Sequence, residues 1–484
     1  MPLATMHIDQ QNVYVFRTFV LVTLLSILAS IHFHTFAFFL IPISPLVLGF
    51  IIDDYRRLFY LMFAILPFSV EYYFDSSGFG TDLPSEPMML ILTGITTFLL
   101  LRNNIKLPLS YVTHPIFIMI WVHVFWIMIT GIQSTHVFIS MKLLAAKIWY
   151  VFPFFILPLI FVKDTQDIQK SYKILYKFLF VAIFIVLVRH AFDNFSFSAS
   201  YHVVRPFFRN HVTYAAIAVI CLPFVWAFMR INALEDQSNR WMKWVFGIFI
   251  IGIYFSYTRA AILSMIIAIG AWYIIKRKWV RQALMISSIV ATVGIFYLSW
   301  NNNYLDLTPD FERTITHTEF DNLLEATYKL EDISSMERVF RWVAGIEMIK
   351  DKFWLGFGPG TFYSEYKAYS ISRFQTYVSG NPDQSGIHNY FLMTWVEQGF
   401  IGFLILIALC FLLLIEGERL YHRASDPKDQ LMIMATTLAF IIIFAMCLIN
   451  DLIETDKVGP FFFFNAAILL FYHRKINKEQ YLPD

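Results

Sequence analysis

The chain has 484 residues, 58% of them hydrophobic and 15% charged, with 52 phenylalanines and a mean hydropathy of +0.60. That much apolar surface exceeds what a single soluble core of this length can cover, so an ordinary soluble enzyme is excluded and a lipid bilayer is the expected solvent. A net charge of +2, with no basic tract longer than Lys276, Arg277 and Lys278, leaves no footprint for nucleic acid.

Taken in order, apolar runs fall at about 16–34, 36–52, 58–74, 88–101, 115–132, 142–162, 173–190, 212–230, 243–257, 260–275, 281–299, 388–415, 430–450 and 458–472. They predict about 12 to 14 transmembrane helices, some tilted or short. No cleavable signal peptide is evident at the start. Cys221, Cys410 and Cys447 lie inside apolar runs without metal or redox spacing and read as packing residues. Lysines and arginines gather in every second connection, from Arg56 and Arg57 through Lys276–Arg281 to Arg474 and Lys475. The positive-inside rule then puts those connections and both termini in the cytoplasm.

The chain therefore divides into a helix bundle over 1–299, a large external loop over 300–387 and C-terminal helices over 388–484. The loop carries acids in excess: Asp306, Asp310, Glu312, Glu319, Asp321, Glu325, Glu331 and Asp332. It also carries an amphipathic helix over Met336–Phe353, with Val339, Trp342, Val343, Ile346 and Ile349 at helical spacing. Such a helix lies on the membrane surface or caps the bundle.

Positive charge stands on the opposite side from the rule. Arg205, Arg209, His211, Arg259, Arg338, Arg341 and His388 are external or at the external edge of a helix, with Lys142, Lys147 and Arg189 as further members. Arginine at a hydrocarbon boundary is costly unless it snorkels or meets an anion. Guanidinium forks match a phosphate or diphosphate at that depth. A lipid diphosphate carrying a glycan fits, because the diphosphate is also a leaving group. Its transfer needs stabilisation of the departing charge, which arginines supply, and a base, for which His388 is the candidate, with a hydrogen-bond donor to acceptor or diphosphate as its other reading. No Asp-x-Asp pair or His/carboxylate cluster at ligand spacing calls for a metal in the external segments.

Gly356, Gly358 and Gly360, in G-F-G-P-G, permit positive φ and close backbone approach, so the loop can fold back over a ligand or simply turn. Gly399 and Gly402 read as small-residue helix contacts. Glu397 lies too far along its helix to orient the His388 ring, which leaves Glu71, Glu86 and Glu454 as candidate partners. Tyr254, Trp342, Tyr363 and Tyr390 either stack on sugars or anchor in the interface.

His388-Asn389, nine residues, Gly399, two residues and Gly402 resemble the signature of the O-antigen ligase family, which is similar to the O-antigen polymerases of the same superfamily. The segments Gly356–Phe362, Arg338–Trp342 and Ser256–Ala261 resemble that family's pattern too, and the resemblance covers roughly 200–410. It implies an all-α polytopic membrane glycosyltransferase of the GT-C type in the bacterial cytoplasmic membrane, working at its outer face with no cofactor and no metal, and with inversion. The donor would be a glycan on undecaprenyl diphosphate and the acceptor a lipid A core or another glycan, with membrane lipids around both. The resemblance carries the required histidine to His388 and diphosphate-binding arginines to Arg259 and Arg209, and with less support to Arg338 and Arg341, whose places on the loop helix equally suit the acceptor. A polymerase of the same superfamily is the alternative, and a transporter of the same lipid-linked glycan is an alternative of another class.

Overall fold

The computed structural model describes residues 54–74, 79–102, 107–308, 332–376, 378–381 and 384–481, together with 21, 22, 25 and 26. The predicted runs at 16–34 and 36–52, and the loop acids from Asp310 to Glu331, lie outside the described residues. Contacts divide the chain into two units, Met1–Leu61 and Met62–Asp484. The described part of the first unit is the start of helix α1 (Tyr55–Ile65), opened by Asp54, whose carboxylate accepts the Arg56 backbone N–H at 3.0 Å.

In the second unit, helices follow the apolar runs closely. They are α2 (Ser85–Leu101), α3 (Pro115–Ile132), α4 (Val137–Phe161), α5 (Thr165–Phe192), α6 (His211–Leu234), α7 (Arg240–Tyr254), α8 (Arg259–Lys276) and α9 (Val280–Ser299), then α10 (Ile333–Asp351), α11 (Tyr390–Arg423), α12 (Pro427–Cys447) and α13 (Gly459–Tyr481). Eight of the described helices are long and apolar enough to cross a membrane. The chain is an all-α polytopic membrane protein.

Local sequence fixes where the helices begin. Asp164, Asn210, Asp332, Asn389 and Asp426 each accept an early backbone N–H of the helix that follows, at 2.9–3.1 Å, satisfying donors with no partner inside the helix. Helix α4 passes Pro153 through a π turn at Phe152–Ile156, the bulge expected where proline interrupts the ladder.

The run at 58–74 is not one helix. Pro67 opens a 3₁₀ turn at Leu66–Phe68, and the β-favouring stretch Val70–Phe74 pairs antiparallel with Phe79–Leu83, Val70 opposite Leu83. Tyr, Phe and Val fit a pleated strand better than a helix once proline has ended the turn.

Helix α12 is the axis of the bundle, with α6, α8 and α11 packed around it. Small residues permit the approach: Ala435 and Ala439 are fully buried, and a Cβ on Gly417 of α11 would collide with Thr437 of α12. A buried polar tie, Tyr172 Oη to Asn465 Oδ1 at 2.6 Å, joins α5 to α13. The predicted amphipathic helix forms as α10, three residues earlier than expected, with Val339, Val343 and Met348 buried against the start of α11. Gly417→Val overpacks the α11–α12 contact and should cost about 1–3 kcal/mol, read as a lowered midpoint of thermal unfolding in detergent.

Candidate functional site

Helix α11 is broken nine residues in. Gly399 has φ +70° and ψ −178°, a region open essentially to glycine alone, and a Cβ there would strike the Trp354 carbonyl. The break exposes carbonyls that an intact helix would use. Phe357 N–H donates to Val396 O at 3.0 Å, Gly358 N–H to Glu397 O at 2.8 Å, and Phe400 N–H to Phe353 O at 2.8 Å. The glycine-rich loop is thus stitched along the broken helix.

Gly356, Gly358 and Gly360 all have positive φ, and Gly358 lies so close to Ser134 that no Cβ fits. Glu397, from within α11, accepts the N–H groups of Gly360 (2.8 Å) and Phe362 (3.1 Å). The expectation that Gly399 is a helix contact is corrected: its role is the break itself. Gly402 does pack closely, against Gln398 and Trp126. Glu397 serves the loop, and the His388 ring is not its partner.

His388 stands two residues before α11 with φ +58°, a left-handed conformation costing a non-glycine residue about 1–2 kcal/mol. Three contacts impose it. Asp451 Oδ2 accepts the His388 N–H at 3.0 Å and Asp451 also accepts the Asn389 N–H. Arg341 Nη1 donates to Gly386 O at 3.0 Å, and Trp342 Nε1 donates to Ile387 O at 3.1 Å. Arg341, 5% exposed, is a brace for the histidine segment, also 3.7 Å from Glu337. Asn389 caps α11. Among the described residues, the His388 imidazole has no hydrogen-bond partner. Burial first, then the charges of Arg338 and Arg341, push it down to about 3, so it is neutral at ordinary pH. Burial pushes the Asp451 carboxyl up to about 7, and the Glu454 charge adds to the rise.

The arginines separate into groups. Arg259, first residue of α8, donates Nη2 to Asp332 Oδ2 at 2.9 Å, and the same carboxylate caps α10. Asp332 is held low by Arg259 and Ser335 against the opposing effect of burial. Arg338 bonds Ser334 Oγ at 3.0 Å; burial and the nearby Arg259 charge lower it to about 10. Arg259 Nη1, Arg338 Nε and His211 Nδ1 are buried without a partner among the described residues. The Thr258 hydroxyl accordingly ties the starts of α6 and α8 together, donating to His211 O at 3.3 Å. Arg209 is 62% exposed and pairs with Glu71 at 3.7 Å, so its guanidinium turns to the hairpin.

The starts of α6, α8, α10 and α11 are thereby linked by contacts, and each carries the positive end of a helix dipole. Sequence reasoning missed Asp451 altogether. An acid in the short connection between two apolar runs, on the same side as His388, was the available signal.

Two clusters could hold a cation by composition, His114–Glu416–His473 and Asp82–Glu86–Asp456. In the first, Asn477 donates to His473 Nε2 (2.9 Å) and Ile116 N–H to His114 Nδ1 (3.2 Å), so both imidazoles turn an N–H toward Glu416 and offer it no lone pair. In the second, Tyr150 (2.8 Å) and Ser85 (3.0 Å) occupy Asp456 and Lys457 shares the charge. The first set is therefore satisfied by its own hydrogen bonds.

These features define a multi-pass membrane protein with buried cationic donors and a free neutral imidazole gathered where four helices begin. Residues 244–407 match the model of the family described as O-antigen ligase, a match that supports a place in the O-antigen ligase and polymerase superfamily. That family implies a glycosyltransferase-type activity on lipid-linked glycans in a bacterial membrane. No curated protein matches the chain. Gly399→Ala forces a side chain into both a glycine-only conformation and the Trp354 carbonyl, costing at least about 1–3 kcal/mol. Limited proteolysis should show earlier cleavage within 354–387 than in the unaltered protein.

Proposed function

We propose that the protein transfers a glycan from undecaprenyl diphosphate to a lipid A core or similar acceptor at the outer face of the cytoplasmic membrane, without metal and with inversion. The observation that carries this reading is the pair of unpartnered arginine donors, on Arg259 and Arg338, beside a neutral His388 at a junction of helix starts. Guanidinium groups and helix dipoles together suit a diphosphate. The imidazole suits a hydroxyl. The acceptor oxygen attacks the anomeric carbon, the bond from that carbon to the diphosphate oxygen breaks, and the hydroxyl proton passes to His388. Arg259 and Arg338 stabilise the charge gathering on the departing diphosphate. Arg209 guards the approach, where its exposed guanidinium exchanges Glu71 for the incoming anion. Arg341 holds the His388 segment and leaves the diphosphate to the others. On this reading both termini are cytoplasmic and the segment 300–387 is external.

His388→Ala should abolish transfer by at least about 100-fold, the span of general base catalysis, with the fold and donor affinity kept. Arg259→Ala should weaken binding of undecaprenyl diphosphate. The decisive experiment gives the purified protein its lipid-linked glycan in nanodiscs, with or without lipid A core, and follows product by gel and mass spectrometry. Preassembled glycan on the core supports the ligase. A ladder from donor alone makes it a polymerase, tight donor binding with no covalent product makes it a transporter, and loss of activity to a chelator overturns the metal-free account.

The pH dependence has a definite sign. A bound diphosphate offsets the arginine charges that depress His388 and so raises its pKa. The acid limb of kcat, which reports the bound state, should therefore lie at higher pH than that of kcat/KM, which reports the free protein. A pH–rate series giving coincident limbs near 6.5 would contradict this electrostatic picture.

A further inference from the structure

Lys147 sits in the middle of an apolar membrane helix and is wholly buried. A lysine there is expensive unless paired, and intramembrane charge usually marks function. Its Nζ donates to Glu454 Oε1 at 2.7 Å and to Tyr390 Oη at 3.2 Å. Tyr390 Oη donates in turn to Glu454 Oε1 at 2.7 Å. These three groups close a largely buried ring of hydrogen bonds.

Both partners of Lys147 adjoin the histidine segment. Tyr390 is the first residue of α11, two residues beyond His388. Glu454 ends the 3₁₀ turn Leu452–Glu454, three residues beyond Asp451, the carboxylate that grips the His388 and Asn389 N–H groups. The segment 451–456 is thus fastened to the start of α11 at two points, and α4 fastens it from behind. Tyr150, one turn along α4 from Lys147, donates to Asp456 Oδ1 at 2.8 Å and to Glu454 O at 3.3 Å. Lys147 makes no hydrogen bond to the imidazole.

We propose that Lys147 is a positioning residue for transfer: by balancing the Glu454 carboxylate and holding Tyr390, it keeps Asp451 where it imposes the left-handed conformation of His388. This rests on the proposed transfer reaction. Without the ammonium, the partly buried Glu454 carboxylate keeps a single neutral side-chain donor, and it must draw water or move. Each response shifts the turn that carries Asp451. Taking away both charges at once leaves no such demand, so the two substitutions should be coupled and not additive.

The test compares Lys147→Met, Glu454→Gln and the double variant Lys147→Met/Glu454→Gln in nanodiscs. The donor is the lipid-linked glycan pool extracted from source membranes, and the acceptor is lipid A core from the same cells. Affinity is read with undecaprenyl diphosphate alone. Lys147→Met should lower kcat by about 10- to 100-fold while donor KM and the affinity for undecaprenyl diphosphate change less than about threefold. The double variant should recover at least about fivefold of that loss. A folded Lys147→Met protein with unchanged kcat, a loss confined to donor KM, or a double variant whose defects simply multiply would each overturn the assignment. His388→Ala in the same assay separates the two levels. If it transfers glycan normally the reaction scheme itself has failed, whereas an inactive His388→Ala beside a normal Lys147→Met removes only the role of Lys147.

Discussion

The break at Gly399 is the constraint on which this end of the helix bundle depends. A continuous α11 would spend the Val396 and Glu397 carbonyls on its own ladder. The break releases them to hold Phe357 and Gly358, and so converts a loop of glycines into an extension of the bundle. Glu397 then closes the loop's far side through Gly360 and Phe362. Trp126 of α3 donates to Gln398 O at 2.9 Å, a further group that the break frees. Irregular backbone at this depth is tolerated because every freed group named here finds a protein partner.

A second constraint acts at His388, where backbone strain and side-chain freedom are opposed. The backbone is held by Asp451, Arg341 and Trp342 through main-chain atoms alone. None of them uses the ring. A histidine fixed in this way can offer either nitrogen to a substrate without first breaking an internal bond. On the reaction proposed above, the cost of φ +58° is set against the entropy saved when a substrate meets a residue whose backbone is already in place.

Most of the fold was legible because bilayer burial writes itself as uninterrupted apolar sequence. The runs at 115–132 and 260–275 return as α3 and α8 to within a residue at most. The run at 58–74 misled because hydropathy does not distinguish a short buried helix from a strand, and Pro67 was the stronger signal. At the site, positive φ at Gly356, Gly358 and Gly360 was legible from residue type. The Gly399 break was not, since a small residue for helix packing and a glycine-only dihedral look alike in sequence. Arg341 was read as a ligand for phosphate because an arginine's partner, here the Gly386 carbonyl, is a matter of tertiary structure. Asp451 lay 63 residues from the atom it holds, and no periodicity spans that distance.

The distribution of satisfied and unsatisfied polar groups parallels the roles proposed for them. Glu397 and Lys147 are buried and bonded, and a buried charge with its partners in place is part of the scaffold. Arg259 Nη1 and Arg338 Nε are buried and lack partners among the described residues, although leaving such donors unmet costs about 1–3 kcal/mol each. Asp332 balances one of these cations and caps α10 with the same oxygen. The surplus of positive charge over partners at this junction is what an anionic headgroup would complete, so binding energy from the diphosphate would go into relieving a standing electrostatic deficit beside the imidazole.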